Sequence, residues 1–406
     1  MHRRSYRRGI GAALALLCIA QPPAGAAQDN LIRPGELWPD NHGVHINAHG
    51  GGVLFHAGTY YWYGEHKTTG PSGNLANVGV SVYASTDLIH WRDEGIALPV
   101  SDDPASDITR GCILERPKVI FNAATGKFVL WFHLEPKGGG YRGARSGVAV
   151  ADRPTGPFRF LASFRPNAGF WPRNTPPAQQ HPLSPADSKL VASLDLKGGP
   201  VPDFPADLIF RRDFAGGQMA RDMNLFVDDD GQAYQIYASE ENGTLQISRL
   251  SADYLRPAGD YARILPGGFN EAPALFKHGG KYWLITSGCT GWSPNPARLA
   301  VADHLWGPWT ILGNPWTGPV AQSALSYDSQ STFVLPIAGR PSAFIFMADR
   351  WRPDDARDGR YVWVPIHFRP DGVPFFEWNE SWDAASLLTS PTAKPGLSRL
   401  SLRPGG

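Results

Sequence analysis

The chain has 406 residues, of which 45 are Gly, 37 are Pro and 14 are Trp, and 12% are aromatic. Abundant aromatic residues together with frequent turn formers favour short strands over long helices and indicate an all-β protein. The formal net charge is +1 and only 18% of residues are charged, so the composition gives no electrostatic reason to propose nucleic acid or an anionic membrane surface as a partner, since either would require a basic face.

The N-terminus has the pattern of a removable export signal. Four arginines between residues 3 and 8 precede an apolar run from Ile10 to Ala20, and small residues follow at positions 24–27. Because a membrane-spanning helix needs about 20 apolar residues, this run is too short to be one. We therefore expect residues 1–27 to be a signal peptide and the mature protein to be periplasmic or extracellular. Arg7-Arg8 is compatible with twin-arginine export, and a Sec signal fits equally.

After the signal, an apolar strand that follows a turn recurs five times. The five strand cores are Thr59–Gly64, Lys127–His133, Gln232–Ala238, Lys281–Ser287 and Ser342–Ala348. Further strand pairs fall between them, so each repeat has room for four strands. The pattern predicts a single five-bladed β-propeller over residues 28–406.

Two of the repeats carry a glutamate ahead of an apolar strand, in Glu115-Arg116-Pro117 and in Glu271-Ala272-Pro273. Proline has no N–H to donate, so we expect each strand to begin at the proline with the glutamate at its head. Burial beside apolar neighbours favours the protonated form of a carboxyl group, which a general acid at neutral pH needs. An ordinary salt bridge is the alternative interpretation.

One segment does not fit the repeat. Between Pro166 and Gly217 eight prolines interrupt regular structure, and we expect a long surface insertion with a short strand around Leu208–Phe210. Such a segment is either one wall of the central channel or a decoration with no part in the chemistry, and the sequence leaves both open.

Acidic residues lie near the predicted starts of several strands: Glu65, Glu115, Asp222, Glu240, Glu241 and Glu271. Glycoside hydrolysis needs one carboxylic acid to protonate the leaving oxygen and a second group to activate water or attack the sugar. The run Asp228–Gly231 lacks the later ligands of a calcium loop and lies between two predicted strands. We interpret it as a hairpin turn and predict no metal site.

Several short runs, in chain order, resemble glycoside hydrolase family 43 and especially its exo-β-1,3-galactanase branch. They are Tyr61–Lys67, Glu115–Asn122, Arg221-Asp222, Glu271–Pro273, Gly291–Pro296, Ser329-Gln330 and Asp349–Pro353. The resemblance covers nearly all of the chain after the signal, apart from the insertion. It implies a five-bladed propeller, an inverting exo-acting mechanism and no required cofactor.

Position by position, the resemblance also implies roles for individual residues. Glu271 is similar to the family's general acid, and Asp222 to the carboxylate that orients this acid and adjusts its pKa. Glu115 and Glu65 are similar to ligands of the sugar hydroxyls.

The chain departs from the family at the general base. Most of the family has a base aspartate in the first blade, whereas residues 41–63 contain no Asp or Glu. The galactanase branch shares this absence, and the resemblance implies that Gln330 holds the attacking water. A neutral amide is a very poor proton acceptor, so we interpret Gln330 as a water-positioning residue. The competing assignment makes Glu115 the base, which inversion would place about 6.5–9.5 Å from Glu271.

Three further residues are candidate substrate ligands. Trp292 and Asn295 lie in a Pro-bracketed loop that suits stacking on a sugar face, and His49 lies in the first blade where it can reach substrate or close the channel floor. Cys112 and Cys289 are the cysteines left after the signal, and the sequence does not determine whether they pair.

These features predict an exported exo-glycosidase that releases terminal galactose from β-1,3-galactan, with an oligo- or polysaccharide as its partner and no nucleic acid or membrane. An α-L-arabinofuranosidase or a β-galactofuranosidase of the same family is the nearest alternative, because pocket details select the sugar. A propeller lectin without catalysis is the alternative from another functional class.

Overall fold

The structure is a computed structural model that describes residues 30–388, apart from residues 195, 197, 198 and 202. The expected signal peptide, residues 1–27, lies outside the described residues. Within the described part of the chain, no helix is long and apolar enough to cross a membrane.

Five four-stranded antiparallel sheets follow one another along the chain, between two short terminal strands. The N-terminal strand is β1 (Leu31–Ile32), and the first blade is β2 (His49–His56), β3 (Thr59–Lys67), β4 (Asn77–Ser85) and β5 (Arg92–Pro99). The second blade is β6 (Ile113–Asn122), β7 (Lys127–Glu135), β8 (Arg145–Ala151) and β9 (Arg159–Phe164). The third is β10 (Met223–Val227), β11 (Ala233–Ser239), β12 (Thr244–Leu250) and β13 (Pro257–Ile264).

The fourth blade is β14 (Asn270–His278), β15 (Lys281–Gly288), β16 (Arg298–Ala302) and β17 (Thr310–Gly313). The fifth is β18 (Gln330–Pro336), β19 (Phe344–Arg350), β20 (Arg360–Phe368) and β21 (Pro374–Phe376), and β22 (Trp382–Asp383) pairs with β1. The all-β five-bladed propeller is thus confirmed, and the five repeated strand cores are the second strands of the blades: β3, β7, β11, β15 and β19.

The core consists of apolar clusters at the five junctions between neighbouring blades. Side chains alternate along each strand, so in β3 Trp62 packs toward the fifth blade while Tyr63 packs toward the second. Trp62 lies 4.6 Å from Trp363, measured between ring centroids, at the junction that closes the ring. Because both faces of the second strand of each blade are covered, these strands read as nearly continuous apolar runs.

The first strands of the blades pack against one another in a ring: β2, β6, β10, β14 and β18. In β6 and β14 the pairing register shifts directly after Glu115 and directly after Glu271. The next residues, Arg116 and Ala272, have φ of 56° and 53°. Each strand therefore has a β-bulge at its glutamate, which re-aims the glutamate side chain.

The expected start of these strands at proline is wrong. β6 and β14 begin at Ile113 and Asn270, so each glutamate and the proline that follows it lie inside a strand. The bulge interrupts the ladder at this point, which is why a residue without an N–H is tolerated there.

The insertion contains helices and no strand among its described residues. The strand expected around Leu208–Phe210 is wrong, because α2 (Ala206–Arg212) covers it, and α1 (Pro185–Ser193) precedes it. Ser184 caps α1 by accepting a hydrogen bond from the Asp187 N–H at 3.0 Å, with proline at the first helical position. The remaining helical segments are α3 (Val320–Ser323), α4 (Ala385–Leu388) and the 3₁₀ turns Gly73–Ala76, Gly140–Arg142, Pro177–Gln179 and Ala356–Asp358.

The two described cysteines are free thiols. Cys112 belongs to the apolar cluster between the first and second blades, and Cys289 lines the central cavity.

Candidate active site

A cavity of about 1250 Å³ is lined by residues at the inner ends of the blades and by the insertion. The structure brings together in its wall the predicted residues Glu65, Glu115, Asp222, Glu271 and Gln330. They come from all five blades or from the segment directly before a blade, so only the closed ring of first strands places them in one site.

Glu271 is partly buried at the bulge of β14. Its Oε1 accepts a hydrogen bond from Asn242 Nδ2 at 2.8 Å. Burial and the negative charge of Asp222 raise the pKa of Glu271 to about 8, against the opposing charges of Arg116 and Arg221. The carboxyl group is therefore mostly protonated at neutral pH and can act as a proton donor.

Asp222 lies just before β10 and is held by two neighbours. Arg116 Nε and Nη2 donate to its two carboxylate oxygens at 3.1 and 2.8 Å. The N–H of Ala272, the residue after Glu271, donates to its Oδ2 at 3.0 Å. A bidentate guanidinium pair fixes the carboxylate in plane, and the backbone bond ties it to the bulge that carries Glu271.

The neighbours of Gln330 determine which way its amide faces. Arg116 Nη2 and Trp351 Nε1 donate to Oε1 at 2.7 and 2.8 Å, and Nε2 donates to Ser287 Oγ at 2.8 Å. Arg and Trp side chains are donors only, so the atom facing them must be the carbonyl oxygen. The second N–H of Nε2 is left to bind water as a donor.

Glu115 begins a row of buried hydrogen-bonded groups that ends at Glu135. Tyr141 Oη donates to Glu115 Oε1 at 2.7 Å, and His133 Nδ1 donates to Glu115 Oε2 at 2.9 Å. His133 Nε2 donates to Glu135 Oε1 at 2.9 Å. Because both imidazole nitrogens face carboxylates, the ring carries two protons and a positive charge.

The charges in this row reinforce one another. Burial opposes the charge on His133, but the hydrogen bonds to Glu115 and Glu135 raise its pKa to about 9. Burial alone would also raise the pKa of Glu115, but the hydrogen bond and charge of His133 hold it at about 2. Glu115 is therefore a fixed anion in the cavity wall.

Glu65 is held from two sides in β3. Lys67 Nζ lies 2.7 Å from its Oε2, and the Arg116 N–H donates to its Oε1 at 2.9 Å. Burial raises the pKa of Glu65, against the effect of Lys67. The residue is 2% exposed and lines the cavity.

Of the three further candidates, only Trp292 lines this cavity. It is 42% exposed and its ring lies edge-on to Trp351. Asn295 lines a neighbouring cavity, and its side chain is used to shape its own loop, bonding to the N–H and C=O of Gly288. His49 is fully buried and stacks on Tyr361 with centroids 5.4 Å apart, so its placement does not favour contact with substrate.

Sequence reasoning missed Arg116, His133, Tyr141 and Trp351 as site residues. Arg116 and Trp351 lie inside the runs that carry the family resemblance, so those runs held the signal. His133 ends an apolar strand core and looked like an ordinary strand residue. Its role follows from its position opposite Glu115 in the β6–β7 pairing, which the sequence does not state.

Glu115, His133 and Asp222 have potential metal-ligand atoms within 4.8 Å of one another. Both nitrogens of His133 already donate to carboxylates, and Arg116 pairs with Asp222. A cation there would compete with a guanidinium and an imidazolium. The arrangement therefore fits a hydrogen-bonded charge network better than a metal centre.

The insertion forms part of the cavity wall, through Leu183, Val191, Leu194 and the segment 211–215 among others. Arg212, in α2, donates to Glu241 Oε1 at 3.1 Å, and Glu241 also accepts from Arg221 Nη2 at 2.9 Å. This link attaches the insertion to the third blade beside the catalytic carboxyl candidates.

Comparisons with known proteins agree with this geometry. Residues 205–332 match the family model described as Glycosyl hydrolases family 43. A solved structure of a family 43 β-1,3-galactosidase with galactodeoxynojirimycin is 49% identical, with a TM-score of 0.80, over 87% of this chain and 100% of that chain.

More distant structures are similar in the same way. An exo-β-1,3-galactanase from Clostridium thermocellum is 34% identical, with a TM-score of 0.69, over 88% of this chain and 68% of that one. An exo-β-1,3-galactanase from Phanerochaete chrysosporium, solved with β-1,3-galactotriose, is 32% identical, with a TM-score of 0.68, over 87% of this chain and 68% of that one.

A curated relative, a β-D-galactofuranosidase from Aspergillus niger, is 27% identical over 129 residues. That match covers 29% of this chain and only 37% of the relative. The identity and coverage of the solved structures decide the placement: the chain belongs to glycoside hydrolase family 43, and it is a glycoside hydrolase.

Proposed function

We propose that this glycoside hydrolase is an exported, exo-acting and inverting enzyme that releases terminal galactose from β-1,3-galactan. The observation that carries the proposal is that one cavity wall holds both Glu271, whose raised pKa keeps it protonated, and the fixed anion Glu115, in a propeller that is 49% identical to a β-1,3-galactosidase. Exo action is supported by the relatives described as exo-β-1,3-galactanases.

In the proposed reaction, Glu271 donates its proton to the glycosidic oxygen as the bond to C1 breaks. Asp222 supplies the negative charge that keeps this proton in place before the reaction. When Glu271 becomes anionic, the hydrogen bond from Asn242 and the charge of Arg116 stabilise it.

The proposed sugar ligands are Glu115 in the second blade and Glu65 in the first. Each oxygen of Glu115 accepts one hydrogen bond within the protein and keeps a lone pair for a sugar hydroxyl. Because His133 and Tyr141 hold the carboxylate in one orientation, it binds a hydroxyl in one geometry. Trp292, exposed at the cavity wall, is the candidate to stack on a sugar ring.

Gln330 is proposed to position the attacking water and not to take its proton. An imidic-acid tautomer would put a proton on Oε1, where Arg116 and Trp351 already donate. Glu115 is also a weak base, because its pKa is about 2. We therefore infer that another group accepts the water's proton.

The test is a reaction of the purified chain with β-1,3-galactobiose, next to aryl arabinofuranoside and aryl galactofuranoside, followed by proton NMR. Early release of α-galactose from the biose supports both the substrate and inversion. Early β-galactose contradicts inversion, and turnover of a furanoside alone contradicts the substrate.

The galactofuranosidase alternative keeps one specific observation in its favour, the Aspergillus niger match. The lectin alternative is not favoured by membership of a hydrolase family. Export is a separate proposal from residues 1–27, checked by mass spectrometry of the N-terminus of the protein recovered outside the cytoplasm.

A further inference from the structure

The first blade lacks an acid where two other blades carry one. The register of β2 shifts directly after His49, as it does after Glu115 in β6, and Gly50 has φ of 60°. A Cβ at Gly50 would lie 2.3 Å from Glu65 Oε1, and the φ of 60° is strained for any residue with a side chain, so a carboxylate residue at this position is disfavoured. His49 is buried against Tyr361 and has no acidic group.

A carboxylate from the fifth blade lies against this bulge. Asp349 Oδ2, near the end of β19, accepts a hydrogen bond from the Gly50 N–H at 2.7 Å. Asp349 is 3% exposed and 299 residues away in the chain. The closure of the ring thus places a buried acid where the first blade has none.

Asp349 is also the immediate neighbour of Gln330. The two residues are directly opposite in the antiparallel pairing of β18 and β19, so their side chains point to the same face with Cβ atoms about 4.5–5.5 Å apart. Both line a second cavity of about 370 Å³. This cavity shares Gln330, Trp351 and Trp292 with the active-site cavity, so solvent at Gln330 is in reach of Asp349.

We propose that Asp349 accepts the proton of the attacking water, through solvent held at Gln330, in place of the missing first-blade acid. This inference rests on the proposed inverting hydrolysis. The oxygen of water bonds to C1 while the bond from C1 to the leaving oxygen breaks, and that oxygen takes the proton of Glu271. The water's proton passes to the Asp349 carboxylate. After product release Asp349 loses this proton to solvent and Glu271 regains one, so the cycle consumes one water.

The electrostatic surroundings suit this task. Burial raises the pKa of Asp349 to about 7, against the Gly50 hydrogen bond and the charge of Arg116. Glu65 on β3 raises this pKa further, and Lys118 on β6 lowers it. Tyr361 is its opposite residue on β20. A base is most effective when its pKa is near the working pH, which favours Asp349 over Glu115.

The variant that tests the proposal is Asp349→Asn. Asparagine keeps an oxygen for the Gly50 N–H and removes the basic group. We expect a loss of about 10²–10³-fold in kcat on β-1,3-galactobiose. The same loss is expected on β-galactosyl fluoride, whose leaving group needs no acid. Azide should restore turnover of the fluoride and give α-galactosyl azide, since azide attacks without giving up a proton.

The matched control is Asp328→Asn, an exposed acid that lines the same cavity. Its φ of 58° is one that asparagine tolerates, and we expect wild-type kinetics. The acidic limb of the kcat/KM profile, near pH 7 in the wild type, should disappear only in Asp349→Asn. Galactodeoxynojirimycin should still bind and the melting temperature should not fall, because Asp349→Asn removes a charge that burial disfavours; these results separate lost chemistry from lost folding.

Three results would overturn the proposal: turnover of Asp349→Asn within threefold of wild type, a loss that azide does not restore, or an unchanged acidic limb. A wild type that hydrolyses an aryl furanoside and not the galactobiose refutes the substrate proposal alone. In that case the kcat of Asp349→Asn and the acidic limb of its kcat/KM profile are measured on that furanoside. A wild type that gives the retained anomer, or no turnover on any glycoside, refutes both.

Discussion

Glu115 in the second blade and Glu271 in the fourth lie in the same local backbone structure, yet the pKa values of their carboxyl groups differ. Each lies at a bulge of a first strand, before a residue with positive φ and then a proline. The pKa of Glu115 is held at about 2, whereas that of Glu271 is raised to about 8.

The difference comes from what lies beside each carboxyl group. Glu115 has the cationic His133 and the hydroxyl of Tyr141 as donors. Glu271 has a neutral amide donor, Asn242, and the anion Asp222 nearby. A repeated fold thus provides equivalent positions, and the side chains of neighbouring blades turn one into a fixed anion and the other into a proton donor.

The largest expected effect is on the proton donor. Glu271→Gln keeps the shape of the side chain and an acceptor for Asn242, but has no proton to give. We expect kcat on β-1,3-galactobiose to fall about 10³-fold while the oligosaccharide still binds. Turnover of β-galactosyl fluoride should survive. The measurements are initial rates on both substrates and calorimetric binding.

Glu377→Gln, at an exposed glutamate, is the control and should behave as wild type. Unchanged release of galactose by Glu271→Gln would show that another group is the acid.

A smaller effect is expected when the neighbouring anion is removed. In Asp222→Asn the negative charge that raises the pKa of Glu271 is lost, while the positive charge of Arg116 remains. Glu271 must be protonated to act, so activity falls as pH rises through its pKa. We expect the alkaline limb of kcat/KM, near pH 8 in the wild type, to move to lower pH, with kcat reduced roughly 10–100-fold. If the alkaline limb did not move, Asp222 would not be the group that raises the pKa of Glu271.

The fold was predictable because its signal is local and repeated. Each second strand is an apolar run after a turn, and five copies in one chain leave little choice of architecture. The insertion was less predictable. Its prolines were interpreted as breaks in regular structure, although Ser184-Pro185 is the start of a helix. The apolar run Leu208–Phe210 was interpreted as a strand, although it is one turn of α2.

The site was predictable only where its residues have a local pattern. Glu115 and Glu271 each lie just ahead of a recognisable apolar run, although the strands themselves begin earlier. The partner of Glu115 depends on strand register, and the contact of Asp349 with Gly50 joins residues 299 positions apart. His49 looked equally available in sequence, and only the packing of Tyr361 over its ring shows where it lies.

A still smaller effect should follow from loss of one donor to Glu115. Tyr141→Phe removes the hydroxyl that donates to Oε1 at 2.7 Å and leaves His133 in place. A hydrogen bond to a charged group contributes about 1.5–3 kcal/mol, so Glu115 should be held less firmly. We expect KM for galactobiose to rise about tenfold with kcat little changed, because a fixed anion that binds hydroxyls acts before the chemical step. A fall in kcat with constant KM would contradict a binding role.

The smallest effect on activity is expected at the far end of the same row, where the change is one of stability. Glu135 is fully buried and accepts from both His133 and the Ala144 N–H. The pKa of His133 is about 9 in the folded protein and about 6.5 when unfolded. Its contribution to stability, on the order of a few kcal/mol, is therefore full below pH 6.5 and is lost as pH rises through 9.

In Glu135→Gln one of the two anionic partners of His133 is lost, so the pKa of His133 falls and the ring loses its proton at a lower pH than in the wild type. We expect a lower melting temperature at pH 6 and a flatter decline between pH 6.5 and 9 than in the wild type. Asp349, Lys118 and Glu271 also titrate in this range, but they are common to both proteins and cancel in the difference. If the melting temperature of Glu135→Gln changed with pH in the same way as that of the wild type, Glu135 would not set the charge of His133. Glu135 would then also not contribute to the low pKa of Glu115.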